Sequence, residues 1–263
     1  AHLVSLKVLD ENGGGVISDV IAAFEWVIAN RVAHNIRVIN LSVGARITES
    51  YETDPLTLAA KRAVDAGIVV VAAAGNLGQK TVNNQKKTQY GSITAPGNAP
   101  WVLTVGAYST QGTLSRWDDK VAPYSSRGPA AVDFAAKPDM LAPGTGIVSL
   151  AESTSEFYTT KAAYLVNGSR ATPNRPYLSM SGTSMASPHA AGLLALLRSG
   201  AAAEQKAPSA LQLKQALMVT ARPLASATYL DQGTGTPNVG SAWTWLSEGR
   251  DVPEVRTRSV GAG

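Results

Sequence analysis

Apolar positions along the chain change period several times, and the changes mark out elements. His2 to Leu9 alternates and is rich in Val and Leu, which predicts a strand; "DENGGG" after it predicts a turn. Ser18 reads as a helix N-cap, because Val20, Ile21, Phe24, Val27 and Ile28 follow at helical spacing. Ile36 to Val43 predicts a second strand. Asp54 with Pro55 opens a helix that Gly67 closes. Ile68 to Ala74 is continuously apolar, as a strand covered on both faces should be. Val102 to Val105 predicts a shorter strand.

Strand and helix thus alternate through the first 75 residues or so. That order predicts an α/β fold with a doubly wound, mainly parallel sheet and helices on both faces. Ligands in such sheets bind beyond the carboxyl ends of the strands. Attention therefore falls on Ser42-Val43-Gly44 and Ala74-Gly75-Asn76. Further along, Gly144 to Met180 reads as a polar loop. The stretch after Ser184 is apolar nearly all round, which predicts a buried helix. Ser209 to Ala221 predicts another helix, stopped by Pro223. From about Gly233 onward Gly, Pro and charge increase. Residues 1–247 form the expected domain and 248–263 a tail or linker.

Composition adds exclusions. With 263 residues, 44% hydrophobic and 16% charged, the chain suits one large globular domain. It has no cysteine, so disulfides, thiolate catalysis and Cys-based zinc sites are out. The net charge of +4 is spread thinly, with no Lys/Arg block among aromatics, so no nucleic-acid partner is expected. No apolar run approaches the ~18 residues of a membrane span, and no membrane association is expected. The N-terminus does not read as a signal peptide, since strand-like sequence begins at once.

Three features bear on chemistry. Ser184, between Gly182-Thr183 and Met185-Ala186, stands at the start of the long apolar helix. A nucleophile there would have its anion stabilised by the helix dipole and free N–H groups; a capping serine would look the same. Asn76 follows an apolar strand and one glycine. It reads either as a side-chain donor to a developing oxyanion or as a turn asparagine. "GNLGQKT" (75–81) imitates a phosphate loop, but Gln79 separates the glycine from Lys80, which removes the motif.

A serine needs a base, and the chain has only His2, His34 and His189. His189 lies five residues beyond Ser184. On a helix that is about 500°, or roughly 140° around the axis, away from the hydroxyl. His2 and His34 read as surface residues.

Taken together, "GTSMASPHAAGLLALL" (182–197), "VINLSVG" (38–44), "VVVAAAGN" (69–76), "YSSRGP" (124–129) and "KPDMLAPGTGI" (137–147) resemble the subtilisin-like serine proteases. The resemblance covers residues 1 to about 247. It implies Ser184 as acylating nucleophile and Asn76 as oxyanion donor beside the Ser184 N–H. It implies Ser42, Val43 and Gly44 as one wall of the substrate cleft and Ala73, Ala74 and Gly75 as the other, with Gly182 and Thr183 beside the nucleophile. Small walls imply a primary pocket open to large apolar side chains. The family's catalytic Asp and His segments have no counterpart here, and neither has the central strand that carries the Asp. The fold is therefore expected to lack the family's N-terminal strands, and the chain alone is expected to have no substantial activity.

By the same resemblance the partners are a polypeptide substrate and either a separate N-terminal segment carrying the Asp and His or an inhibitory propeptide. No cofactor is needed for the chemistry. Structural calcium fits the family, though no Asp-rich loop stands out. The location implied is extracellular.

Overall fold

A computed structural model describes residues 2–170 and 172–250. Its centre is a five-stranded sheet. Strands β1 (Val38–Leu41), β2 (Val69–Ala73), β5 (Leu103–Ser109) and β7 (Met140–Pro143) run parallel in that order, and β6 (Lys120–Val121) pairs antiparallel with the end of β5. Between β2 and β5 lies a hairpin of β3 (Gln79–Val82) and β4 (Gln85–Thr88). Three strands, β8 (Ile147–Leu150), β9 (Leu165–Val166) and β10 (Tyr177–Met180), form a separate antiparallel sheet, with the short helix α3 (Glu156–Thr160) between β8 and β9.

Both faces of the central sheet are covered, and the period of the strands shows how. In β2, Val69 and Val71 point to one side, where α4 (Thr183–Ala203), α5 (Ala210–Val219) and α7 (Val239–Ser247) pack. Val70 and Ala72 point to the other, where α1 (Ile17–Asn30) and α2 (Pro55–Asp65) pack. Every residue of β2 is buried, which accounts for its uninterrupted apolar sequence. A last short helix, α6 (Tyr229–Gln232), precedes α7.

Local chemistry sets several boundaries. The Asp54 carboxylate accepts the Leu56 N–H at 3.0 Å at the start of α2. Gly67, at φ +85°, closes that helix in a conformation glycine adopts readily. Ser209 and Gln212 form a reciprocal capping box on α5.

Four expectations are corrected. His2–Leu9 is not a strand: the edge of β1 away from β2 pairs with nothing among the described residues, and Leu3 is 94% exposed. Alternation alone does not make a strand, and these residues join no ladder among the described residues. Helix α1 starts at Ile17 after Val16, with no side-chain cap, so Ser18 lies inside it. Residues 144–180 are not simply loop, since they carry β8, β9 and β10. Finally, α4 is not buried all round. Pro188, His189, Gly192 and Leu196 are exposed along one stripe, Leu196 by 59%. Part of the expected tail, 251–263, lies outside the described residues.

Candidate active site

Three segments meet beyond the carboxyl ends of β1 and β2: Ser42–Gly44, Gly75–Gly78 and the N-terminus of α4. Ser42, Val43, Gly44, Ala73, Gly75, Asn76, Thr94, Thr183 and Ser184 surround a cavity of about 200 Å³. Two glycines make it possible. A Cβ on Gly44 would stand 2.5 Å from Thr94 Oγ1, and Gly75 combines φ +106° with a Cβ position 2.8 Å from Ser126 Oγ. Ala74 does not line the cavity. Its side chain is fully buried and packs with Ile93, Ala130 and Ala135, because alternation along β2 turns it away from Ala73. Gly182 lies outside the cavity, next to Asn76 and Ser184. A larger hollow of about 330 Å³ between the C-terminal end of α4 and α7 holds none of these groups.

Ser184 is the second residue of α4. Its hydroxyl donates to the Ser42 carbonyl at 3.0 Å, and the Ser42 hydroxyl donates back to the Ser184 carbonyl at 3.0 Å. A backbone carbonyl is not a base, so the hydroxyl rests unactivated. The histidines are engaged elsewhere or open to solvent. His34 stacks on Trp26, His189 approaches the Met185 carbonyl through Nδ1, and His2 is exposed.

Asn76 is held by its oxygen. Oδ1 accepts the Thr183 N–H at 2.9 Å and the Thr183 hydroxyl at 3.0 Å, which leaves the Nδ2 donors turned outward. Among the described residues no hydrogen bond reaches Asn76 Nδ2 or the Ser184 N–H. Both converge on one small space. A Cβ placed on Gly182 would lie 3.5 Å from Asn76 Nδ2 and 3.7 Å from Ser184 N. A hydroxyl beside two unpaired donors that face a common point is an arrangement suited to acyl transfer, since those donors can hold a carbonyl oxygen as it gains charge.

Sequence reasoning missed Thr94, which lines the cavity while its N–H donates to the Ala74 carbonyl at 3.1 Å. It sits where the chain returns from the β3–β4 hairpin, a tertiary event without a local signal. Ser126, whose hydroxyl accepts the Leu77 N–H at 3.1 Å, lay inside a quoted motif but had been given no role.

No group of three or more Asp, Glu or His side chains that could hold a metal exists among the described residues. Where carbonyls do converge, lysines supply the positive charge. Lys137 Nζ donates to Val102 O at 2.9 Å and Asp139 Oδ2 at 2.7 Å, and Lys214 Nζ donates to Pro100 O at 2.6 Å and Val102 O at 2.9 Å. Burial pushes Lys137 down to about 7, against the attraction of Asp139 and with repulsion from Lys214. Burial alone would raise Asp139, but Lys137, Lys214 and the Thr104 N–H hold it below the usual carboxylate range. No helix among the described residues is long and apolar enough to cross a membrane.

The fold and this constellation define a class: an α/β protein with a serine hydroxyl and two unpaired donors at the carboxyl edge of its parallel sheet. Comparison with known proteins narrows the class. The family model of the subtilases matches residues 1–242. The chain is 40% identical over 202 residues to serine protease AprX of Bacillus subtilis, covering 75% of this chain and 42% of that protein. It is 32% identical over 244 residues to a thermostable alkaline protease of Halalkalibacterium halodurans, covering 92% of this chain and 50% of the relative. Among solved structures, a psychrophilic protease, S41, superposes with a TM-score of 0.64 at 27% identity, over 88% of this chain and 67% of the other. The prenylagaramide maturation protease PagA superposes with a TM-score of 0.63 at 26% identity, over 90% and 70%. The chain belongs to the subtilase family, and it spans half or less of the length of these two curated relatives.

Proposed function

We propose that this chain carries the nucleophile and oxyanion half of a subtilisin-type serine endopeptidase. Ser184 Oγ attacks the carbonyl of a bound polypeptide, and Asn76 Nδ2 and the Ser184 N–H receive the developing oxyanion. The cavity walled by Gly44, Ala73, Gly75 and Thr94 takes an apolar side chain from the acyl side of the scissile bond. The scissile C–N bond then breaks, the amine leaving with the proton that the base took from Ser184, and water hydrolyses the acyl-enzyme to free the acid and the serine. The observation that carries this reading is the convergence of the two unpaired donors in front of Gly182, beside the Ser184 hydroxyl.

The proton acceptor belongs to the same proposal. Ser184 donates to a backbone carbonyl, and none of the three histidines reaches it, so a His with its Asp is drawn from residues outside this chain. The unpaired edge of β1 and the exposed stripe of α4, including Leu196, offer a seat for the segment that brings them. An inhibitory propeptide over the cleft, and extracellular action, extend the same reading. A second reading, peptide binding without turnover, is favoured by the unactivated hydroxyl: a substrate strand could pair with the Ser42–Gly44 edge while no bond breaks.

A fluorophosphonate separates the two. In the full natural polypeptide it should label Ser184 stoichiometrically, and the 263-residue chain alone should react far more slowly. Residual chemistry without the other triad members is about 10³–10⁴ over water. No adduct on Ser184 in the full polypeptide would leave only the binding reading.

A further inference from the structure

Tyr124 stands at the junction between the two halves of the oxyanion site, although it hydrogen-bonds to neither Asn76 nor Ser184. Its carbonyl accepts the Gly78 N–H at 2.9 Å, two residues past Asn76. The next residues hold the same turn: Ser126 N–H donates to Gly75 O at 2.9 Å, and Ser126 Oγ accepts Leu77 N–H at 3.1 Å. Arg127 Nη1 adds a bond to Gly78 O at 2.9 Å. On the other side, the Tyr124 hydroxyl donates to Gly144 O at 2.7 Å and lies 3.0 Å from Thr145 Oγ1. That Gly144 carbonyl also accepts the Gly182 N–H at 2.8 Å. Gly182 is the residue before α4, two before Ser184.

We propose that Tyr124 is a positioning residue that fixes the separation between Asn76 Nδ2 and the Ser184 N–H. Its main chain braces the asparagine turn, and its hydroxyl, through the shared Gly144 carbonyl, braces the nucleophile segment. The two donors sit on different elements, the end of β2 and the start of α4. The Thr183 bonds to Asn76 and Gly75 link these ends directly, and this brace adds an indirect link to the packing of α4 on β2. Burial pushes the Tyr124 phenol above its ordinary range, so the hydroxyl keeps its proton under neutral and mildly alkaline conditions. The carbonyl of Gly144, with two donors on it, is fully used, and removing the phenolic one frees the Gly144–Gly182 contact to drift. The proposal rests on the acyl-transfer reading given above.

Steady-state kinetics on a chromogenic peptide test it with four forms of the full natural polypeptide: wild type, Tyr124→Phe, Asn76→Ala and the double variant. Tyr124→Phe should lower kcat about tenfold with KM unchanged, as misplacement of a group acting only in the transition state does. In the Asn76→Ala background the same change should cost little more, because one of the two groups it spaces is already gone. Independent, multiplicative losses would overturn the positioning role, as would a raised KM or an unchanged kcat in Tyr124→Phe. A general loss of packing would lower kcat on both backgrounds and so count against it. Absence of turnover in the wild type, or an Asn76→Ala form as fast as wild type, would instead overturn the acyl-transfer reading beneath it.

Discussion

Gly182 shows how much a single absent atom can decide. Its φ of 162° is ordinary extended backbone, and a Cβ there meets Asn76 Nδ2, Met185 Sδ and Ser184 N at 3.5, 3.5 and 3.7 Å, all acceptable contacts. Gly182→Ala should therefore fold normally, yet its methyl would occupy the space between the two donors proposed to hold the oxyanion. The expected result is a kcat reduced by about 10²–10³, the scale known for deleting one such donor from a subtilisin, with an unchanged melting temperature. Calorimetry beside peptide hydrolysis checks both halves. At this scale the sequence was informative where chemistry is local. Ser184 and Asn76 could be singled out from their neighbours, and the structure places them together. Thr94 could not, because its position is set by the return of the chain after the β3–β4 hairpin. Nor could the role of Tyr124, because its partner Gly144 is 20 residues away in sequence.

Among the elements, those with strong local signals match the pattern of the chain. Helix α5 is an example: Ser209 was legible as its start, and Ser209 with Gln212 satisfies two otherwise unpaired N–H groups. Ser209→Ala should lower unfolding stability by about 1 kcal/mol, read from denaturant midpoints, with Ser184 reactivity unaffected. Elements whose signals depend on a partner were misread. His2–Leu9 has a strand's alternation but pairs with no other strand among the described residues. The strands within 144–180 are short and β8 is mostly exposed, so no apolar run announces them; Leu150 is 82% exposed. The β3–β4 hairpin did leave a trace in Asn83-Asn84, both at positive φ, but the polar sequence around them hid it.

Taken as a whole, the molecule buries an unbalanced charge cluster, two ammoniums against the Asp139 carboxylate, beneath β5 and α5. Folded Lys137 titrates near 7, whereas a lysine in the unfolded chain titrates near 10.5. Between those values the unfolded chain binds a proton that the folded chain has released, so stability rises with pH across that window. Denaturant unfolding at pH 7 and pH 9 should show this gain in the wild type and lose most of it in Lys137→Met. Asp139 acts on the acid side. Its lowered carboxyl contributes stability above the ordinary carboxylate range, and that contribution disappears as pH falls through its folded value. The proposed nucleophile and two donors lie together, the Ser184 hydroxyl donates to a carbonyl, and one edge of the central sheet pairs with nothing among the described residues.

The most direct measurement is peptide hydrolysis by the full natural polypeptide, by its Ser184→Ala variant and by residues 1–263 alone. Turnover is expected of the first, its loss on substitution of Ser184, and no substantial turnover by the isolated chain. Robust hydrolysis by the isolated chain, abolished by Ser184→Ala, would contradict the claim that its base comes from elsewhere. Hydrolysis by the full polypeptide that survives Ser184→Ala would contradict the nucleophile itself.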